Sequence, residues 1–168
     1  MADAQNLPFE DETFDVTISQ AVDVLVDDKQ KAVNEYGRVT KQGGYVGLHE
    51  GTWLKTPTKE IIDLFIQSYN GVYNAGLQGY DSWINEFTTD GWVTLLKNAG
   101  LKEITAQSYK ATPQTKLDGM KTIGIRHTIR MWILFIISPT FRRMTATNIP
   151  EEIHEYYGYG LYVGKKVR

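Results

Sequence analysis

The sequence predicts an α/β protein, and three observations carry that prediction. Short runs rich in β-branched and aromatic residues alternate along the chain with segments of helical apolar spacing. The helical segments are punctuated by capping residues at their starts and by glycine or proline at their ends. The chain has 168 residues, enough for one domain with a core of its own. Alternation of this kind argues for a sheet with parallel members.

The elements follow in order. A polar, acidic loop leads into a strand at Phe14–Ser19, sequence FDVTIS. Asp27 and Asp28 are placed to cap a helix running to about Lys41, with Ala32, Val33, Tyr36 and Val39 as its apolar stripe. Gly43 and Gly44 then stop it. Gly44–Glu50 is a second strand, centred on Tyr45, Val46 and Leu48. Thr56-Pro57 opens another helix, whose buried face is Ile61, Ile62, Phe65, Ile66 and Tyr69. The stretch NGVYNAGLQGYDS reads as a loop. Thr88 or Thr89 caps the next helix, with Trp92, Leu95 and Leu96 inward and Gly100 at its end. Leu101–Ala111 is a third strand, Ile123–Ser138 a helix ended by Pro139, and Tyr156–Lys165 a final strand. On that last strand Tyr157, Tyr159, Leu161 and Val163 face one side, and Gly158, Gly160 and Gly164 the other. The glycines there are expected to admit a closely packed helix.

Composition excludes several function classes. A net charge of -2 gives no reason to expect nucleic acid. The absence of cysteine excludes disulfide scaffolds and thiolate chemistry, and it fits a cytoplasmic location. His127 and His154 have no partners at metal-ligand spacing, so no metal site is expected. The N-terminus is acidic and polar where a signal peptide would be cationic and then apolar. No apolar run approaches the length of a membrane-spanning helix.

Asp3-Ala4, Leu7-Pro8-Phe9, Phe14-Asp15, Glu35, Arg38 and Gly43-Gly44, with the later TTDGWVTLLKNAGLKEI, form a joint pattern. It resembles the second half of a class I S-adenosylmethionine-dependent methyltransferase of the small-molecule type. The resemblance runs over roughly residues 3 to 112. Thr40 and Gln42 depart from it, standing where the family often has Leu and Pro. The resemblance implies a partial Rossmann-like sheet made of the family's last four strands, with flanking helices. The final strand would insert antiparallel between the family's fifth and sixth. Residues 1–168 would form a single domain, with 113–155 a helical insertion or lid between the last two strands. In the family, a glycine-rich loop and a ribose-binding acid come earlier, and these 168 residues contain neither. S-adenosylmethionine binding is therefore expected to be weak or absent in this chain alone, and the chain alone inactive.

Site residues follow from the same resemblance. Asp3 would accept a hydrogen bond from the adenine amino group, and Ala4 would offer a backbone N–H to the ring. The rival for both is a frayed terminus. Ser19, Gln20 and Ala21 follow the first strand at its carboxyl end, where open α/β sheets bind ligands, and are the other cofactor candidates. His49 and Glu50 are the catalytic candidates and Trp53 the substrate-binding one, all at the carboxyl end of the second strand. Histidine is the residue type suited to a general base near neutrality, which makes His49 the base candidate. Glu35 and Arg38, spaced i,i+3 on one helix, read as a structural ion pair.

The stretch IRHTIRMWILFIISPTFRRM is apolar around most of its circumference and flanked by Arg126, Arg130, Arg142 and Arg143. A buried or lid helix is preferred over an interfacial helix with its arginines at lipid headgroups. A third reading is an apolar substrate pocket beneath it. The expected function is methyl transfer to a small-molecule acceptor. The alternatives are a non-catalytic remnant acting by assembly or interaction, and a lipid-surface binding module. Phe14–Ser19 lacks the lysine or proline that blunts a sheet edge, so a homodimer through Val16 and Ile18 is also expected.

Overall fold

The computed structural model describes residues 2–70, 88–110, 129, 130, 132, 133, 136, 137 and 150–167. They divide between two compact units, one built from residues 1–56, 79–110 and 157–168, the other from 57–78 and 111–156.

The first unit holds the sheet. Its strands are β1 (Phe14–Gln20), β2 (Thr40–Trp53), β3 (Lys102–Lys110) and β4 (Tyr157–Lys165), in the spatial order β1-β2-β4-β3. β1 and β2 are parallel, and β4 runs antiparallel to β2 and β3. The final strand thus sits antiparallel between its neighbours, as the family resemblance implies.

Helix α1 (Lys29–Val39) connects β1 to β2. The Asp28 side chain caps it by accepting from Lys31 N at 2.9 Å. All four stripe residues, Ala32, Val33, Tyr36 and Val39, are buried. Gly43 and Gly44 do not end this helix. It ends earlier, where Thr40 turns extended and its hydroxyl donates to the Tyr36 carbonyl at 2.7 Å. The glycine pair lies inside β2 instead. Gly43 has φ 81°, and a Cβ on Gly44 would meet the Asp15 carbonyl oxygen at 2.5 Å. Helix α3 (Thr89–Asn98) starts at Thr88, whose hydroxyl accepts from Gly91 N at 3.0 Å. Gly100, with φ 78°, follows its end.

α1 packs on β1 and β2, and α3 on β3 and β4. The buried layer between helices and sheet contains Val46, Leu48, Trp92, Leu96, Leu101 and Tyr162. Trp92 Nε1 donates to the Gly51 carbonyl at 3.1 Å, and the Tyr162 hydroxyl to Thr52 Oγ1 at 2.9 Å. The two faces of β4 alternate as expected, and the glycine face is the buried one because Tyr162 lies on it. The closest neighbour at Gly158 is the Tyr109 backbone, at Gly160 the Tyr162 ring and at Gly164 the Leu101 side chain, so strand and side-chain packing demands these glycines rather than a helix.

In the second unit, α2 (Lys59–Asn70) begins two residues after Pro57, with the Thr58 hydroxyl accepting from Ile61 N at 3.4 Å. Ile61 and Phe65 are buried, and Ile62 and Ile66 half-buried. The Tyr69 side chain, the loop 71–82, Ala111, Pro139 and most of the expected insertion 113–155 lie outside the described residues. Within Ile123–Ser138 the described residues are helical. Ile129, Trp132, Ile133, Ile136 and Ile137, which share one face at helical spacing, are each more than half exposed, and the other faces lie outside the described residues. Among the described residues no helix is long and apolar enough to cross a membrane.

Candidate functional site

Parallel strands β1 and β2 end side by side, and a short 3-10 turn (Asp23–Leu25) follows β1. The turn is reached through Ala21, which has φ 52° and donates its N–H to the His49 carbonyl at 2.9 Å. A non-glycine residue in this region stores backbone strain, a feature that concentrates at functional sites.

His49 and Glu50, the two catalytic candidates, are consecutive in an extended strand and so point to opposite faces. The structure does not bring them together. His49 is half-buried, and its ring stacks on Tyr159 with centroids 5.6 Å apart and planes 17° apart. Glu50 is fully buried on the helix-covered face. Its Oε1 accepts from Ser19 Oγ at 3.4 Å, Val22 N at 3.1 Å and Asp23 N at 3.2 Å. Burial first, and then the charge of Asp23, push the Glu50 carboxyl up to about 7, against the pull of the backbone N–H donors.

Asp23 and Tyr36 complete this cluster, and sequence reasoning missed both as functional residues. Asp23 is fully buried and its Oδ1 accepts from the Tyr36 hydroxyl at 2.6 Å. Burial raises the Asp23 carboxyl above its usual range, while hydrogen bonds and Lys29 pull it back. Burial and the Asp23 bond likewise raise the Tyr36 phenol. Lys29 is buried beside them, its Nζ donating to the Val26 carbonyl at 3.0 Å. One signal was available: an acid directly after an apolar strand and before Val-Leu-Val is costly to bury unless a donor waits for it.

The cofactor candidates divide. Ser19 is buried inside the Glu50 network, whereas Gln20 and Ala21 are exposed at the strand end. Asp3 is exposed, and its Oδ1 accepts from Gln5 N at 2.9 Å and Gln5 Nε2 at 3.3 Å. Ala4 is half-buried. The segment that follows is tied down. Arg38 Nη1 donates to the Phe9 carbonyl at 2.8 Å and to Asp11 Oδ1 at 2.7 Å, and Nη2 donates to the Leu7 carbonyl at 3.1 Å. Glu35 Oε2 accepts from Leu7 N at 2.8 Å, and its Oε1 pairs with Arg38 Nε at 2.7 Å. Hydrogen bonding to Arg38 holds the Glu35 carboxyl below its usual range. The pair is thus a clamp on the N-terminal segment, in keeping with its structural reading. Trp53 is buried, with its ring edge-on to Tyr157 at 5.0 Å. Among the described residues, no group of three acidic, histidine or cysteine side chains converges to hold a metal.

Comparison with known proteins agrees with this arrangement. Residues 1–48 match the family model described as a methyltransferase domain. A Haemophilus influenzae protein is 28% identical over 156 residues, covering 89% of this chain and 58% of its own length. Among solved structures, phosphoethanolamine N-methyltransferase 2 of Haemonchus contortus, in complex with S-adenosyl-L-methionine, superposes with a TM-score of 0.65 at 14% identity, covering 99% of this chain and 36% of that one. The [4+2]-cyclase SpnF superposes with a TM-score of 0.60 at 16% identity, covering 99% and 55%. The chain thus spans little more than half the length of the relative it matches in sequence. The parallel β1–α1–β2 unit, with the antiparallel β4 inserted between β2 and β3, gives the chain the Rossmann-like fold of these solved structures.

Proposed function

We propose that this chain forms part of an S-adenosylmethionine-dependent methyltransferase acting on a small-molecule acceptor. The observation that carries the reading is the family match over residues 1–48, which takes in β1, the strained turn, α1 and most of β2. The cofactor supplies an electrophilic methyl group when bound. The residues present fit its adenosine end: Asp3 keeps a second carboxylate oxygen beyond the one held by Gln5, and Gln20 and Ala21 present exposed groups at the carboxyl end of β1. His49, on the half-open face beside Tyr159, is the group we assign to proton removal from the acceptor. Trp53 supports the same strand end from within. SpnF shows that one fold carries different chemistry, so the reading rests on the matched segment and not on shape.

Ligand-observed NMR with S-adenosylmethionine tests the reading. We expect weak saturable binding, displaced by S-adenosylhomocysteine and lost in Asp3→Ala. No contact at millimolar ligand refutes the cofactor assignment. A dissociation constant near 1 μM, worth about -8 kcal/mol, refutes the expectation of a weak site.

One observation favours a second reading, assembly with another copy. β1 is an edge of the described sheet, and Val16 and Ile18 on it are 52% and 72% exposed. Antiparallel pairing of two such edges would cover them through one symmetric contact.

A further inference from the structure

We propose that Asp23 and Glu50 share a single proton, and that this shared proton clasps the turn after β1 onto the end of β2. Both residues are fully buried. Glu50 Oε1 already serves Ser19, Val22 and Asp23, and Asp23 Oδ1 serves Tyr36. Their other oxygens, Asp23 Oδ2 and Glu50 Oε2, are buried with no donor. The Asp23 backbone N–H bonds to Glu50 Oε1 at 3.2 Å, which brings the two carboxyl-bearing residues together in one buried cluster. As two carboxylates they are acceptors only and cannot satisfy each other. A proton on either one makes a donor and an acceptor, and both orphaned oxygens gain a partner in one step.

The charges facing the pair agree. Ser19 reaches it from β1, Tyr36 and Lys29 from α1. Ser19 and Tyr36 are neutral hydroxyls, and Lys29 supplies the cation. With one proton on two carboxyls, the cluster holds one negative and one positive charge. Without it, the core carries an uncompensated anion, the arrangement burial penalises most. Burial and then the charge of Asp23 push the Glu50 carboxyl up to about 7, in the same sense.

A device follows from the connectivity. The turn is held to β2 by Val22 N and Asp23 N, and both bonds end on Glu50. When the shared proton leaves, Asp23 and Glu50 repel, and the turn is the element free to move away. Gln20 and Ala21 form the other end of that turn, so the ligand-facing strand end loosens with it. This inference needs only the geometry and stands whether or not the chain transfers methyl groups.

The test is a carbon-detected NMR titration of the side-chain carboxyls in the full chain, read alongside amide hydrogen exchange at Val22 and Asp23. Expected are two coupled steps for the pair, one of them near neutrality. Protection of the two amides, corrected for the intrinsic pH dependence of exchange, falls about tenfold or more across that step, as one pK unit of coupling implies. Glu50→Gln is expected to keep the protection at alkaline pH, because its amide donates permanently to Asp23. Asp23→Asn does the same from the other side if Glu50→Gln fails to fold. Both carboxyls titrating in the ordinary carboxylate range would overturn the proposal in the wild-type chain itself, as would amide protection that is level through neutrality.

Discussion

Leu48 and His49 are neighbours on one strand and live in different surroundings. Leu48 faces α1 and α3, and with Val46, Glu50, Trp92 and Tyr162 it is wholly removed from water. His49 faces the other way, in a layer with Ile18, Tyr159 and Leu161 that stays substantially exposed. The alternation is simple pleat geometry. Its consequence is a division of labour. The covered face stores the buried carboxyl pair, whose chemistry depends on exclusion of water. Among the described residues, the open face presents apolar and aromatic surface together with the His49 imidazole. Sheets with parallel strands are ordinarily covered on both sides, so the open face is the one to probe for a ligand or a second copy.

The largest expected effect breaks the comparison directly. Leu48→Ala is expected to cost about 3 kcal/mol, because it empties volume inside a close-packed layer. Leu161→Ala, on the open face and paired in register with His49, is expected to cost under about 1 kcal/mol. Urea unfolding of both variants measures the difference. Equal losses would mean that something covers the open face in solution.

Next comes the buried network. Tyr36→Phe removes the hydroxyl that serves Asp23 Oδ1 and is expected to cost about 1–3 kcal/mol by leaving a buried acceptor unpaired. The pH dependence has a definite sign. Burial and the charge of Asp23 push the Glu50 carboxyl up to about 7 in the folded chain, above its ordinary unfolded value near 4.3. Between those values the folded state binds more protons than the unfolded one. The contribution is therefore complete below about 4, declines as pH rises through about 7, and is level above that. Thermal melts from about pH 5 to pH 8 are expected to show a falling midpoint, flattened in Glu50→Gln. A midpoint that rises across this window contradicts the assignment.

A smaller effect concerns the edge. Val16→Lys is expected to change monomer stability by less than about 0.5 kcal/mol, since Val16 is already half exposed. If two copies pair through β1, the same change abolishes association. Light scattering over a concentration series reads it, and a dimer indifferent to Val16→Lys removes β1 from the interface.

How far this contrast was legible in the sequence depends on the kind of signal. The stripe Ala32-Val33-Tyr36-Val39 and the caps at Asp28 and Thr88 are local, and helical periodicity with capping chemistry locates them. The antiparallel final strand came from the family pattern. Alternation along β4 separated its two faces but could not say which is covered. That depends on α3, whose Trp92 ring lies 6.2 Å from Tyr162. Tyr45 reads as the centre of its strand for the same reason, and it is exposed. Glu50 and Ser19 are both candidates in the sequence, yet Asp23 is not. Asp23 lies 27 residues away in the chain, and only the fold brings the two together. Gly43-Gly44 read as a helix stop because the local glycine signal is the same; the close approach of Asp15 is a tertiary fact.

The last expected effect lies in the turn that follows β1. Ala21 sits at φ 52°, with its N–H on the His49 carbonyl and the clasped turn just beyond. The left-handed region costs an L-residue about 1–2 kcal/mol, which Gly avoids. Ala21→Gly relieves that strain but adds freedom to the unfolded chain, worth about 0.4–1 kcal/mol in the opposite sense. The two nearly cancel, so the net change is expected to stay within about 1 kcal/mol and to favour Gly. Ala21→Val, branched at Cβ in the same conformation, is expected to destabilise by more. Chemical unfolding of both variants orders them. If Gly were the worse substitution, the methyl of Ala21 would be a packing group and not a strained one. The turn would then be held from its exposed side as well as by Glu50.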